Sequence, residues 1–229
     1  MHTIRSGRGV IRALALLIVV PTFANAQATP SANLDACLSV EVVDRAREIG
    51  AYLEDMAICE DDMQCIWERG EARPGDLVDC AMLELERCSG RTDGLACLAD
   101  LTVALESRAR GVAEVLDADA YLEAAAALPT PERQTMIGAL YGLFQPVPFD
   151  CALIAPLELE YGIATVDASC AFMWAWNWHA GLLDVQAHAQ RAGIPLPTLS
   201  PQQVRARAAH GQPDGAAAVS LLPPRKGND

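Results

Sequence analysis

Apolar residues recur at helical spacing through most of the chain. Val42, Val43, Ala46, Ile49, Leu53 and Met56 fall three and four residues apart on one face, which predicts a helix. Asp76 is placed to cap a second helix carrying Leu77, Cys80 and Leu83. A turn over Ser89–Gly94 separates it from a long third helix with Leu95, Leu98, Leu101, Val103, Leu105, Val112, Val115 and Leu116. That helix is expected to break near Gly111 or Asp117 and to resume from Tyr121 to Leu128. Thr130–Pro131 starts another, with a cap residue and then Pro at the first helical position. It should end near Phe144, since neither Pro146 nor Pro148 can continue a helix. Sustained alternation and Asn-Gly turns are absent, so strand signals are weak.

Cys170 to Leu183 is the most apolar internal stretch and carries no charged residue. Cys170, Trp174, Trp178, Leu182 and Val185 lie on one face of a helix there; Phe172, Trp176 and Leu183 lie on the other. A helix apolar on both faces belongs at the centre of a core, so Trp174, Trp176 and Trp178 are expected core residues. Its 14 residues fall short of the roughly 20 that cross a bilayer. From Ile194 the chain turns rich in Pro, Gly and Ala, which reads as a largely disordered tail over 194–229. One short helix is expected inside it, with Ser200 and Gln203 as a capping box and Gly211 after its end. The expected fold is all-α: a disulfide-bonded, irregular helical bundle over residues 27–193, with no internal repeat.

The start of the chain changes the setting of that bundle. Arg5, Arg8 and Arg12 precede or open an apolar run over Ala13–Val20; Pro21 breaks it, and Ala24-Asn25-Ala26 offers a small-x-small cleavage site. This order is that of a secretory signal peptide, expected over residues 1–26. Its removal takes three arginines and no acid, so the formal net charge moves from −13 to −16. The charge is concentrated between Asp35 and Glu123, with 22 acidic and 8 basic residues. Such a surface repels nucleic acid and steers basic partners toward itself.

All eight cysteines lie after the signal: Cys37, Cys59, Cys65, Cys80, Cys88, Cys97, Cys151 and Cys170. An even count in an exported chain points to disulfides. No CxxC and no Cys-His cluster supports zinc or redox chemistry. Cys80 and Cys88 share a helix whose rise separates them by about 12 Å, beyond the roughly 7 Å that a bridge spans. Local turns suggest Cys88 with Cys97, Cys151 with Cys170 and Cys59 with Cys65, which leaves Cys37 for Cys80. The expected location is the periplasm or the exterior, with no membrane span after cleavage.

The chain carries no GxSxG, HExxH or Gly-rich phosphate loop. His179 and His188 are nine residues apart, on opposite sides of a shared helix, and cannot chelate one metal there. His179, beside Trp178, reads as a hydrogen-bonded core residue. Asp117-x-Asp119 begins like a calcium loop, but Leu122 and Leu128 replace its Gly and its Glu. No catalytic residue, cofactor site or metal site is expected.

The cysteine pattern resembles that of the LprI-type lysozyme-inhibitor family. Cys80 and Cys88 enclose seven residues, Cys97-Leu98 opens a long helix, and Phe149-Asp150-Cys151 precedes a last helix containing Cys170. The resemblance spans roughly Asp79 to Asp184. It implies a small exported helical domain that binds, and inhibits, a basic extracellular protein such as lysozyme. The chain departs from the family pattern in Ala99–Ser107 and in Ala139–Pro146. The competing expectation is a periplasmic enzyme acting through carboxylates on cell-wall or small-molecule substrates.

Overall fold

The computed structural model describes residues 30–60, 62–71, 78–146 and 150–209. The expected signal peptide and residues 210–229, Gly211 among them, lie outside these. The described chain forms eight α-helices: α1 (Pro30–Cys59), α2 (Met63–Glu71), α3 (Cys80–Ser89), α4 (Gly94–Val115), α5 (Ala118–Ala125), α6 (Thr130–Phe144), α7 (Val166–Ala192) and α8 (Pro201–Ala209). A 3-10 turn at Cys151–Leu153 and a two-residue antiparallel hairpin, β1 (Glu158–Leu159) and β2 (Gly162–Ile163), precede α7. The fold is all-α and disulfide-bonded.

Helix α7 is the axis of the molecule, packing on α4, α6 and α1. Its amino-terminal half meets Leu34, Leu85, Leu98, Leu101 and Leu105 through Phe172 and Ala175. Its carboxy-terminal half meets Tyr121, Met136, Leu140 and Leu143 through Trp178, Leu182 and Val185. Trp174 touches both clusters. The α6–α7 crossing is close enough to require glycine: a Cβ on Gly181 would sit 2.5 Å from the carbonyl carbon of Gly142.

Caps define most of the helix ends. Asp79, and not Asp76, caps α3, its Oδ1 accepting from the Met82 amide at 3.0 Å; Asp76 lies outside the described residues. Gly111 sits inside α4, which ends at Val115, and Asp117 caps α5 through the Ala120 amide. Thr130 is the first residue of α6 rather than its cap, a position held by Pro129. Gly193 ends α7 in the left-handed conformation (φ 67°) that favours glycine.

The segment from 194 departs from its tail-like composition as far as residue 209. Asp117 donates to the Pro197 carbonyl and Leu199 to that of Val115. Ser200 and Gln203 form the expected capping box. Arg207 then reaches the free carbonyls at the end of α4, donating to Glu114 and Leu116 at 3.4 Å. These long-range bonds add to the packing of Ile194 and Leu196 against the core.

Four disulfides join Cys37–Cys80, Cys59–Cys65, Cys88–Cys97 and Cys151–Cys170. Three are the pairs that loop length suggests, and Cys37–Cys80 is the pair these leave. Cys80 and Cys88 both lie on α3 and turn to different helices, α1 and α4. Among the described residues, no helix is long and apolar enough to cross a membrane.

Candidate functional site

The corner between α1 and α2 is built to hold an exposed surface rigidly. The chain reverses at Glu60, which has a positive φ of 51°, and the Cys59–Cys65 bridge closes the loop. Asp62 caps α2, its Oδ1 accepting from the Gln64 amide at 2.9 Å. Ile66 turns inward, and Arg69 Nε donates to the buried Asp55 at 2.6 Å. With Cys65, Ile66 and Arg69 holding the inner face, Met63 and Trp67 fall one turn apart on the outer face. They are 66% and 58% exposed, and Ile58, in the last turn of α1, is 55% exposed. Glu54, Glu60, Asp62 and Glu68 are exposed in the same stretch.

Apolar area in water costs on the order of 25 cal/mol per Å², so a tryptophan held in the open on a stapled corner is an expensive feature. Tryptophan is also the residue most enriched among interface hot spots. An apolar centre beside polar and charged residues has the layout of a protein-binding patch, and here the charge is acidic.

The expected core residues take three different roles. Trp178 is buried, and its Nε1 donates to the Leu143 carbonyl at 2.6 Å. Trp174 is half-buried, with its ring 4.9 Å from that of Trp178. Trp176 is half-buried at the edge, donating to Asp79 Oδ2 at 3.0 Å. His179 is buried as expected, but its Nε2 has no hydrogen-bond partner among the described residues. Burial lowers its pKa to about 3, with Arg108 and Arg45 adding to the effect. His188 is lowered to about 4 by burial and by Arg191. Both imidazoles are therefore neutral at pH 7.

The buried carboxylates are engaged in structural pairs. Glu41 accepts from Arg45 and from the Cys80 amide, so that α1 supplies a second cap for α3. Glu84 accepts from Asn33 and Arg87. Arg45 also donates to Asp184 at 2.9 Å, tying α1 to α7. Burial pushes the Glu41 and Asp184 carboxyls up and Arg45 pulls both back. Asp117 is occupied as a helix cap, and among the described residues no group of three or more metal-ligating side chains converges.

Trp67 is not among the residues that the sequence analysis singles out. The signal was present: Cys65, Ile66 and Arg69 define one helix face, and Met63 and Trp67 the opposite one. Comparison with models of known protein families, with curated proteins and with solved structures yields no match for this chain.

Proposed function

We propose that this protein is an exported, non-enzymatic envelope protein that binds a basic extracellular protein through the α1–α2 corner. The observation that carries the reading is the exposed Ile58–Met63–Trp67 surface held by a disulfide among acidic side chains. The apolar centre supplies contact area, and the acidic surroundings supply attraction and orientation toward a cationic partner. The four disulfides support a periplasmic or external location. The resemblance to the LprI-type family names lysozyme as the first partner to test and inhibition as the expected consequence of binding. The buried Glu41, Asp55 and Glu84 are held by arginine or amide partners, which supports the binding reading over an enzymatic one.

The test is titration of residues 27–229 into lysozyme activity and binding assays at low and high salt. Salt-sensitive association is expected, because screening shortens electrostatic reach to about 8 Å at physiological ionic strength. Trp67→Ala should weaken it by about 2 kcal/mol, the scale of a hot-spot residue. The absence of salt-sensitive association with every lysozyme class tested would overturn the reading, as would hydrolysis of wall fragments by the protein alone.

A further inference from the structure

The α1–α2 corner projects past the end of the bundle. Helices α1 and α7 run parallel, since Arg45 bonds Asp184 and Gly50 lies against Arg191, near the end of α7. From Ala51 to Cys59, α1 continues about 14 Å beyond that level. Helix α2 folds back along this extension, fastened by Cys59–Cys65 and by Arg69 to Asp55. Ile58, Met63 and Trp67 are left exposed there. Of the exposed carboxylates beside them, Asp62 caps α2 and Glu68 accepts from Gln64. Glu54 and Glu60 pair with no cation among the described residues, and Arg69 is committed to Asp55.

Helix α8 ends at the same end of the bundle. Ala113 and Leu116, at the end of α4, share a cluster with Val185 and Ala189, near the end of α7. Leu199 and Arg207 bond backbone carbonyls at that end of α4. The sequence after Ala209 then carries Val219, Leu221 and Leu222, followed by Pro223-Pro224 and by Arg225-Lys226. No acid lies between Val219 and Gly227, and Lys226 is the only lysine of the sequence. Trp67 lies about 25 Å along the bundle axis from the end of α4 and about 20 Å, two interaxial distances, to the side. The twelve residues from Ala209 to Leu221 reach up to about 40 Å, which covers that distance.

We propose that Leu221 and Leu222 dock on the Met63–Trp67 surface of their own chain, with Arg225 and Lys226 beside Glu54 and Glu60, so that this segment occupies the corner until a partner displaces it. The order of the segment, apolar and then basic, complements an apolar surface with acidic neighbours. Its covalent tether holds it near the corner at a millimolar effective concentration, so a contact too weak to form between separate molecules is populated within one. The competition with a partner rests on the corner being the binding surface proposed above; the docking itself does not.

The experiment treats residues 27–229 at low salt with a water-soluble carbodiimide, which joins the Lys226 amine to a carboxylate in contact with it. Because the sequence has no other lysine, peptide mapping of the monomer reads that contact directly. Amide links from Lys226 to Glu54, Glu60, Asp62 or Glu68 are expected. They should be lost in the double variant Leu221→Asp, Leu222→Asp and in Trp67→Ala, each with an unchanged circular dichroism spectrum. The double variant should also bind lysozyme about tenfold more tightly than the parent, the factor for a corner that the segment leaves open about one-tenth of the time. Overturning results are no link from Lys226, links confined to carboxylates elsewhere, links found only in cross-linked dimers, or links that survive both variants. Equal lysozyme affinity of the double variant and a parent that binds would also overturn the proposal. Links to the corner with no lysozyme binding by either protein would uphold the docking and count against the partner reading alone.

Discussion

His179 shows what a single side chain contributes to the pH behaviour of this fold. Its folded pKa of about 3, like that of about 4 for His188, lies below the ordinary value of 6.5. Below that value the unfolded chain takes up protons that the folded protein refuses. The stability held by these histidines is therefore complete above pH 6.5 and is lost as the pH falls toward 4 and 3. The slope approaches about 1.4 kcal/mol per pH unit for each histidine. Glu41 and Asp184 act in the opposite sense, because their raised folded values favour the protonated form. Their contribution is present at low pH and is lost as the pH rises through those values. Urea midpoints measured from pH 7.5 to 4.5 should fall, and His179→Leu should flatten the fall by about half. Identical slopes in the variant and the parent would place the acid sensitivity elsewhere. The sequence placed His179 in the core because it stands next to Trp178 in an uncharged stretch. It could not reveal that Nε2 would lack a partner, since that depends on what α4 and α1 present to it.

At the scale of elements, the α6–α7 crossing is set by two glycines of unequal importance. A Cβ at Gly181 would fall 2.5 Å from backbone carbon and 2.8 Å from backbone oxygen and nitrogen. Backbone atoms cannot rotate away, so the helices must part. Gly181→Ala is expected to cost about 1 to 3 kcal/mol, or roughly 2–4 °C of Tm per kcal/mol in a domain of this size. Gly142→Ala meets only ordinary contact and should be tolerated; equal Tm losses for the two would show that the crossing is not the reason. The long helices are legible from their spacing, α7 most clearly, because both of its faces are apolar; α2 (Met63–Glu71) is not, since nine residues with few apolar positions show no clear period. The β1–β2 hairpin was not, since two-residue strands are too short to show alternation. The cap of α3 was placed three residues early, because Asp76 and Asp79 both precede the apolar run. The choice falls on Asp79, whose second oxygen also accepts from Trp176.

Across the whole molecule the disulfides join α1 to α3, α1 to α2, α3 to α4, and the turn at Cys151 to α7. Cys37–Cys80 closes a separation of 43 residues and Cys59–Cys65 one of 6. By chain entropy the first should contribute about 4 kcal/mol and the second about 2 kcal/mol. Replacing each pair with alanine and comparing urea midpoints tests that ranking, and a larger loss for the Cys59–Cys65 pair would reverse it. In that event the short bridge would be acting on the native α1–α2 corner and not on the unfolded chain. Non-reducing peptide mapping should return the same four pairs, and a Cys80–Cys88 link would contradict the arrangement of α3.

The long helices, the central place of α7 and the three local cysteine pairs were determined by the sequence alone, with Cys37–Cys80 left as the remaining pair. Each depends on spacing along one chain: a 3.6-residue period, an uncharged run, or a loop short enough to bring two sulfurs together. Tertiary structure decided which apolar residues remain outside, so that Trp178 is buried while Trp67 stands on the α1–α2 corner. It also decided that Gly181 sits against backbone at a helix crossing while Gly138 faces open space. Docking of residues 194–209 through Arg207 and the backbone of α4 belongs to the same class. These outcomes depend on contacts between segments far apart in sequence. No local pattern encodes them, because burial and hydrogen-bond satisfaction are properties of the neighbours that folding brings together.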